Sequence, residues 1–226
     1  MEPIALLFRI GPFGITTTVV TTWAIMAALV LACALATRRL AERPGRLQVL
    51  LEGVVVAIEE TIAAVLPDRA RMLLPFVGTL WIFLVIANLL GIVPGLHSPT
   101  ADLSLTAALA FVVFLSVHWY GIRADGLRAY LRHYLAPNPL MLPFHLVSEL
   151  SRTVALAIRL FGNISSLEMA ALLVLLVAGF LAPVPILLLH VVEALVQAFI
   201  FGMLALVYIA GGIQSQRKKQ ERKETP

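Results

Sequence analysis

Ala157-Ile158-Arg159-Leu160-Phe161-Gly162-Asn163 places one arginine in a stretch otherwise apolar enough to lie inside a bilayer. Arginine at the centre of a membrane helix costs roughly 2.5–3.5 kcal/mol on insertion scales, so it takes a partner or lines a polar path. The surrounding run, Leu140 to Leu181, holds 42 residues. As a helix that is about 60 Å, twice the hydrocarbon thickness, so the segment tilts strongly, bends, or begins outside the membrane.

The rest of the chain agrees with a bilayer setting. Of 226 residues, 60% are hydrophobic and 13% charged, and the mean hydropathy is +0.95. That balance excludes an ordinary soluble domain and predicts a multi-span membrane protein. Met1 to Gly14 lacks a basic n-region ahead of a short apolar core, so the first span itself is expected to direct insertion. Cys33, the single cysteine, excludes an intrachain disulfide and a cysteine metal cluster and reads as a packing residue. The net charge of +4 sits beside apolar runs and in the tail Arg217-Lys218-Lys219-Gln220-Glu221-Arg222-Lys223. Membrane orientation explains it better than nucleic-acid binding.

The chain reads as one all-α membrane domain. A first span over about 16–36 ends at Arg38-Arg39, with Arg43 and Arg46 marking the cytoplasmic side. Over 45–66, Leu47, Leu50, Leu51, Val54, Val55, Ile58 and Ile62 recur at helical spacing, interrupted by Gln48, Glu52, Glu59 and Glu60. This predicts an amphipathic helix at the interface. A second span covers 73–93, and the turn pairs Pro94-Gly95 and Ser98-Pro99 after it carry no basic residue, which places that loop outside. The third span, 103–122, returns to Arg123, Arg128 and Arg132, and Pro137-Asn138-Pro139 then breaks the chain. Two long apolar stretches, 140–181 and 185–213, flank Pro183-Val184-Pro185 and lead into the tail at 214–226. Five crossings leave the N-terminus outside and the C-terminus in the cytoplasm.

Polar residues collect on the last two helices. At 100° per residue His145, Glu149, Arg152, Leu156, Arg159 and Asn163 share one stripe. Glu168, nine residues past Arg159, lies about 180° around the helix and about 13 Å along it. On the last helix His190, Glu193 and Gln197 stand three and four apart, with Tyr208 returning to the same face. Such groups can simply satisfy one another across a helix pair. An ion path is the stronger reading, because a carboxylate and an imidazole in low dielectric exchange protons while an unneutralised arginine repels cations. Asn88 and Asp102, near the outer surface, admit two readings each: a packing amide and a helix cap, or points of ion access. Arg38, Arg39 and the tail lysines are topology determinants that can also meet anionic lipid. No phosphate loop, metal-binding histidine pair or nucleophile elbow occurs, so no catalytic residue, metal or cofactor is expected, and the chain alone should not hydrolyse ATP.

Arg159-Leu160-Phe161-Gly162-Asn163 followed by Glu168, then Gln197-Ala198-Phe199-Ile200-Phe201 and Tyr208-Ile209, resemble subunit a of F-type ATP synthases. Pro75-Phe76, Asn88-Leu89-Leu90-Gly91 with Pro94, Pro99-Thr100-Ala101-Asp102, and Pro143 with Glu149 extend the resemblance over roughly Pro75 to Tyr208, while the first 70 residues match only in plan. The resemblance implies a stator subunit beside a rotating ring of c subunits, held with a b-subunit peripheral stalk in a bacterial plasma membrane, its last two helices strongly tilted against the ring. Arg159 would face the carboxylate of each passing c subunit and block leakage between two offset half-channels. Glu168 and His190 would line the outward half-channel, with Glu193 nearby, and Asn163 and Gln197 would flank the arginine. Ser151-Arg152-Thr153 is closer to a divergent bacterial branch thought to pump sodium, whereas His190 argues for protons, so the coupling ion stays open. A secondary transporter would show internal repeats, which are absent here. A passive scaffold would make Arg159 dispensable for ion flux.

Overall fold

A computed structural model describes residues 6–10, 13–38, 45–93, 96–127, 142–178 and 184–224. Its helices are α1 (Thr17–Thr37), α2 (Arg46–Val65), α3 (Ala70–Leu89), α4 (Leu103–Asp125), α5 (Leu142–Ala178) and α6 (Val184–Glu224). Short 3-10 turns at Pro67–Arg69, Leu90–Ile92 and Pro99–Ala101 join them. Among the described residues five helical segments are long and apolar enough to cross a membrane: Thr17–Thr37, Pro67–Ile92, Leu103–Ala124, Pro143–Val177 and Val184–Ile213. The fold is all-helical through this membrane part. Ahead of it stands a small antiparallel pair that hydropathy does not reveal, β1 (Leu6–Ile10) with β2 (Phe13–Thr16), in register Arg9↔Gly14 and Ile10↔Phe13.

α3 is the hub. Leu73, Val77, Leu80, Leu84, Ala87 and Asn88 recur every three or four residues and are all buried, because this helix packs on α1, α2 and α6 at once. Around Leu84 a core gathers Val113 of α4, Leu156, Leu160 and Ile164 of α5 and Phe201 of α6. A second core joins Ile62 at the end of α2 to Leu73 and Val77 of α3 and to Leu206 and Ile209 of α6. Small residues set the closest approach. Trp81 stacks on Phe199 and donates its indole N–H to the Phe199 carbonyl at 3.3 Å, and a Cβ at Gly202 would overlap that indole ring.

Most of α2 stands apart from this core, with Leu47, Val49, Leu50, Leu51, Val54, Val55 and Val56 exposed. Only its C-terminal end is anchored, through buried Ile62. α1 is also lightly held, by Thr22 and Ile25. Its Thr21 and Thr22 hydroxyls turn back onto the helix carbonyls of Thr17 and Thr18 at 2.9 and 2.7 Å. That satisfies them where lipid offers no partner.

Asp102 is the N-cap of α4: its Oδ1 accepts from the Ser104 N–H at 2.9 Å and from the Ser104 hydroxyl at 2.8 Å. Partial burial pushes this carboxyl up, but the Ser104 bonds and one from Thr18 outweigh it and hold the group below the usual aspartate range. A carboxyl lowered in the folded state contributes stability above its unfolded pKa, which is lost as pH falls through the lower folded value. Asp102→Ala should therefore cost about 0.5–2 kcal/mol at neutral pH. Thermal unfolding in detergent checks this, since the deficit should shrink on acidification.

Two features differ from the reading of the sequence. The last helix does not stop near Ile213 but continues through the basic tail to Glu224. No glycine or proline follows Gly212 until Pro226, lysine and arginine are good helix formers, and their charge suits a helix C-terminus. The stripe on α5 also divides: Leu156 is buried while Arg159 is exposed. These two differ by about 60° in azimuth, enough at the edge of a contact to separate core from surface. The segments around Arg39 and Arg43, Pro94-Gly95, Arg128, Arg132, Pro137-Asn138-Pro139 and Pro183 lie outside the described residues.

Candidate ion-translocation site

Glu168 and Arg159 occupy opposite sides of α5. Glu168 turns inward with only 15% of its side chain exposed, and its Oε1 accepts the Ser98 backbone N–H at 2.8 Å. His97, 72% exposed, brings Nδ1 to 3.8 Å from the other carboxylate oxygen. The pair links the surface beside the Pro99–Ala101 turn to the interior. Gly91 makes the convergence possible: a Cβ there would fall 2.6 Å from Glu168 Oε1, 3.2 Å from Ser98 Cβ and 3.4 Å from His190 Cε1.

Behind Glu168 lies a buried wall of hydroxyls and amides. The Ser98 hydroxyl meets the Ala87 carbonyl at 2.8 Å and the Thr100 hydroxyl at 2.6 Å, and Thr100 in turn meets Asn88 Oδ1 at 2.7 Å. Asn88 Nδ2 donates to the Ala194 carbonyl at 3.1 Å, tying α3 to α6. His190, 1% exposed, places Nε2 at 3.3 Å from the Asn88 carbonyl. A carbonyl only accepts, so Nε2 carries the hydrogen and Nδ1 is the acceptor in the neutral ring. Glu193, one turn on, is half-buried outside this network.

Arg159 faces the other way. It is exposed and forms no ion pair among the described residues. Elsewhere on the outer surface of the two long helices apolar side chains stand exposed, among them Val154 and Ile158 on α5 and Val192, Val196 and Phe199 on α6. Beneath Arg159, Asn163 Nδ2 donates to Gln197 Oε1 at 2.9 Å, joining the two long helices. Gln197 is 1% exposed, and its Nε2 is buried without a partner among the described residues.

Of the residues singled out in the sequence, Glu168, His190 and Asn88 thus come together, and Asn163 meets Gln197 below Arg159. Asp102 belongs to the cap instead. The sequence reading omitted His97, Ser98, Thr100 and Gly91 as site residues. Their signal was the short polar segment between two spans, which has no room to lie far from either helix mouth.

A bundle of apolar helices that walls off a titratable cluster on one side of a helix and presents an exposed arginine within the membrane span on the other is an ion-conducting membrane subunit in architecture. Residues 19–210 match the family described as ATP synthase A chain. The chain is 67% identical to "ATP synthase subunit a 1" of Hahella chejuensis over 91% of this chain and 88% of that one. It is 61% identical to "ATP synthase subunit a 2" of Pelobacter propionicus over 99% and 98%. Identity to "ATP synthase subunit a 2" of a Picosynechococcus species is 47%, over 91% and 89%. The chain belongs to the ATP synthase A chain family, the proton-translocating subunit a of the membrane sector, which assembles with other subunits of the synthase.

Proposed function

We propose that this chain forms the stator side of two offset half-channels and is itself non-catalytic, ATP chemistry residing elsewhere in the complex. The opposed placement of Arg159 and Glu168 on one helix carries this reading. The exposed side of α5 that bears Arg159 meets the ring of c subunits, so the guanidinium stands opposite each passing carboxylate. Coulomb attraction at a site removed from water keeps that carboxylate ionised until a proton is delivered. The outward half-channel runs from His97 past Glu168 to the Ser98, Thr100, Asn88 and His190 wall. Glu193 lies at its margin, and Asn163 with Gln197 props the floor under the arginine.

At about 55 Å for α5 and about 45 Å for Val184–Ile213, the two long helices cross a hydrocarbon layer of about 30 Å only when steeply inclined. α2 lies along the interface with its apolar residues in lipid, and a b-subunit stalk braces the assembly. We place the chain in a bacterial plasma membrane, N-terminus outside and basic C-terminus in the cytoplasm. Protons are the proposed coupling ion, because the outward path contains two imidazoles and a carboxylate.

The test is ATP-driven acidification of inverted vesicles containing the whole complex. Glu168→Gln should slow the initial rate on the order of tenfold or more, the scale of losing a positioned acid–base group. His190→Ala should slow it less, since the histidine meets the backbone of the wall and not Glu168 itself. Unchanged rates in both variants would remove the outward path from this account.

A further inference from the structure

A second titratable pair lies at the opposite end of α5 from Glu168. His118 of α4 and Glu149 of α5 approach at 3.4 Å, Nε2 to Oε2, with 28% and 23% of their side chains exposed. Glu149 precedes Arg159 by ten residues and Glu168 follows it by nine. The two carboxylates therefore bracket the arginine at about 15 and about 13 Å along the helix axis.

The hydrogen-bond chemistry of His118 fixes what this pair holds. Its Nδ1 lies 2.9 Å from the Phe114 carbonyl, an acceptor only, so Nδ1 carries a hydrogen. In a neutral ring Nε2 is then a bare lone pair, and a carboxylate oxygen facing it would repel. At 3.4 Å the approach is at ion-pair range, and it is attractive when the pair shares one proton, as imidazolium with carboxylate or as neutral ring with carboxylic acid. Moving between these forms breaks one N–H bond and makes one O–H bond, or the reverse, with no other reactant. Phe114 also packs its ring on the imidazole, with centroids 4.4 Å apart, holding the ring orientation.

From this geometry we infer that His118 and Glu149 form a one-proton relay in the half-channel on the far side of Arg159 from Glu168. The inference rests on the stator reading above. Other titratable and basic residues frame the pair: His145 one turn earlier on α5, Arg152 on the next turn, set 5.7 Å over the Tyr208 ring of α6, and Arg123 further along α4. Partial exposure lets water deliver or remove the proton while Phe114 keeps Nδ1 occupied.

The experiment compares ATP-driven acidification by Glu149→Gln, Glu149→Asp and His118→Gln in inverted vesicles, normalised to the amount of assembled complex. A relay needs a titratable group, so Glu149→Asp should pump faster than Glu149→Gln, and Glu149→Gln should fall about tenfold or more. A packing role gives the reverse order, since glutamine keeps the length of glutamate and aspartate does not. Glu149→Gln at or above Glu149→Asp overturns the relay. If neither Glu149 variant assembles, His118→Gln decides, and wild-type pumping by it is equally fatal. Arg159→Ala in the same vesicles separates the two readings. If Arg159→Ala is inactive and Glu149→Gln is normal, only the relay falls. If Arg159→Ala is normal, the stator reading falls with it. Wild-type vesicles that accumulate sodium without acidifying would overturn the relay while leaving the role of Arg159 intact.

Discussion

Arg159→Ala should abolish ATP-driven acidification while the complex still assembles. Both halves of this expectation come from the same observation, the exposure of Arg159 without an intrachain ion pair among the described residues. A buried, paired arginine would leave an uncompensated carboxylate behind on truncation and destabilise the fold by several kcal/mol. Here no such partner is stranded, and removing the charge from an apolar helix eases insertion by roughly 2.5–3.5 kcal/mol. What is lost is the cation presented to the ring, and with it the barrier between the half-channels. Quantifying the subunit in purified complex alongside vesicle acidification checks both parts. A fully assembled variant that pumps normally would falsify the stator reading, whereas one that fails to assemble would show that Arg159 holds structure.

Gly202→Val should prevent accumulation of the subunit. The added side chain must enter the space filled by the Trp81 indole, and Trp81 has little freedom to yield. It is 7% exposed, stacked on Phe199 and hydrogen-bonded to the Phe199 carbonyl. Overpacking of this kind costs about 1–3 kcal/mol, and loss of the ring stack and the indole bond adds about 1–2 kcal/mol. The joint it disrupts is α3 against α6, the contact on which both cores depend. Immunoblotting of membranes should show little subunit for Gly202→Val and a partial return when Trp81→Ala is added to make room. Normal levels of the single variant would mean that the two helices can separate without loss.

Much of this was legible in the chain because membrane helices announce themselves. Long apolar runs ending in arginine mark the spans, and a fixed 100° per residue is enough to set Glu168 opposite Arg159 on one rigid helix. Relations between helices were not legible. His118 and Glu149 are each unremarkable in sequence, and their meeting depends on how α4 and α5 are rotated about their axes. Ser98 reaches Glu168, and Thr100 reaches Asn88, only because Ser98 packs close against Gly91. The tail was read as an end because its polarity changes, yet polarity marks the membrane boundary and not the helix boundary. The β1–β2 pair was invisible for a related reason: two strands of 5 and 4 residues carry too little pattern to stand out beside a long apolar run.

The hydroxyl wall beside Glu168 has one further property. Ser98 and Thr100 supply two hydroxyl hydrogens, while three short contacts connect the Ala87 carbonyl, Ser98, Thr100 and Asn88. One contact is therefore always without a hydrogen, and rotation about two C–O bonds is enough to move that vacancy from one end of the row to the other. As in the proton-disordered lattice of ice, the row can reverse its polarisation, the two oxygens at the vacant contact easing apart as it does. A wall of this kind has orientable dipoles in place beside the carboxylate, so a change of charge at Glu168 meets hydroxyls that can turn toward or away from it without water being admitted.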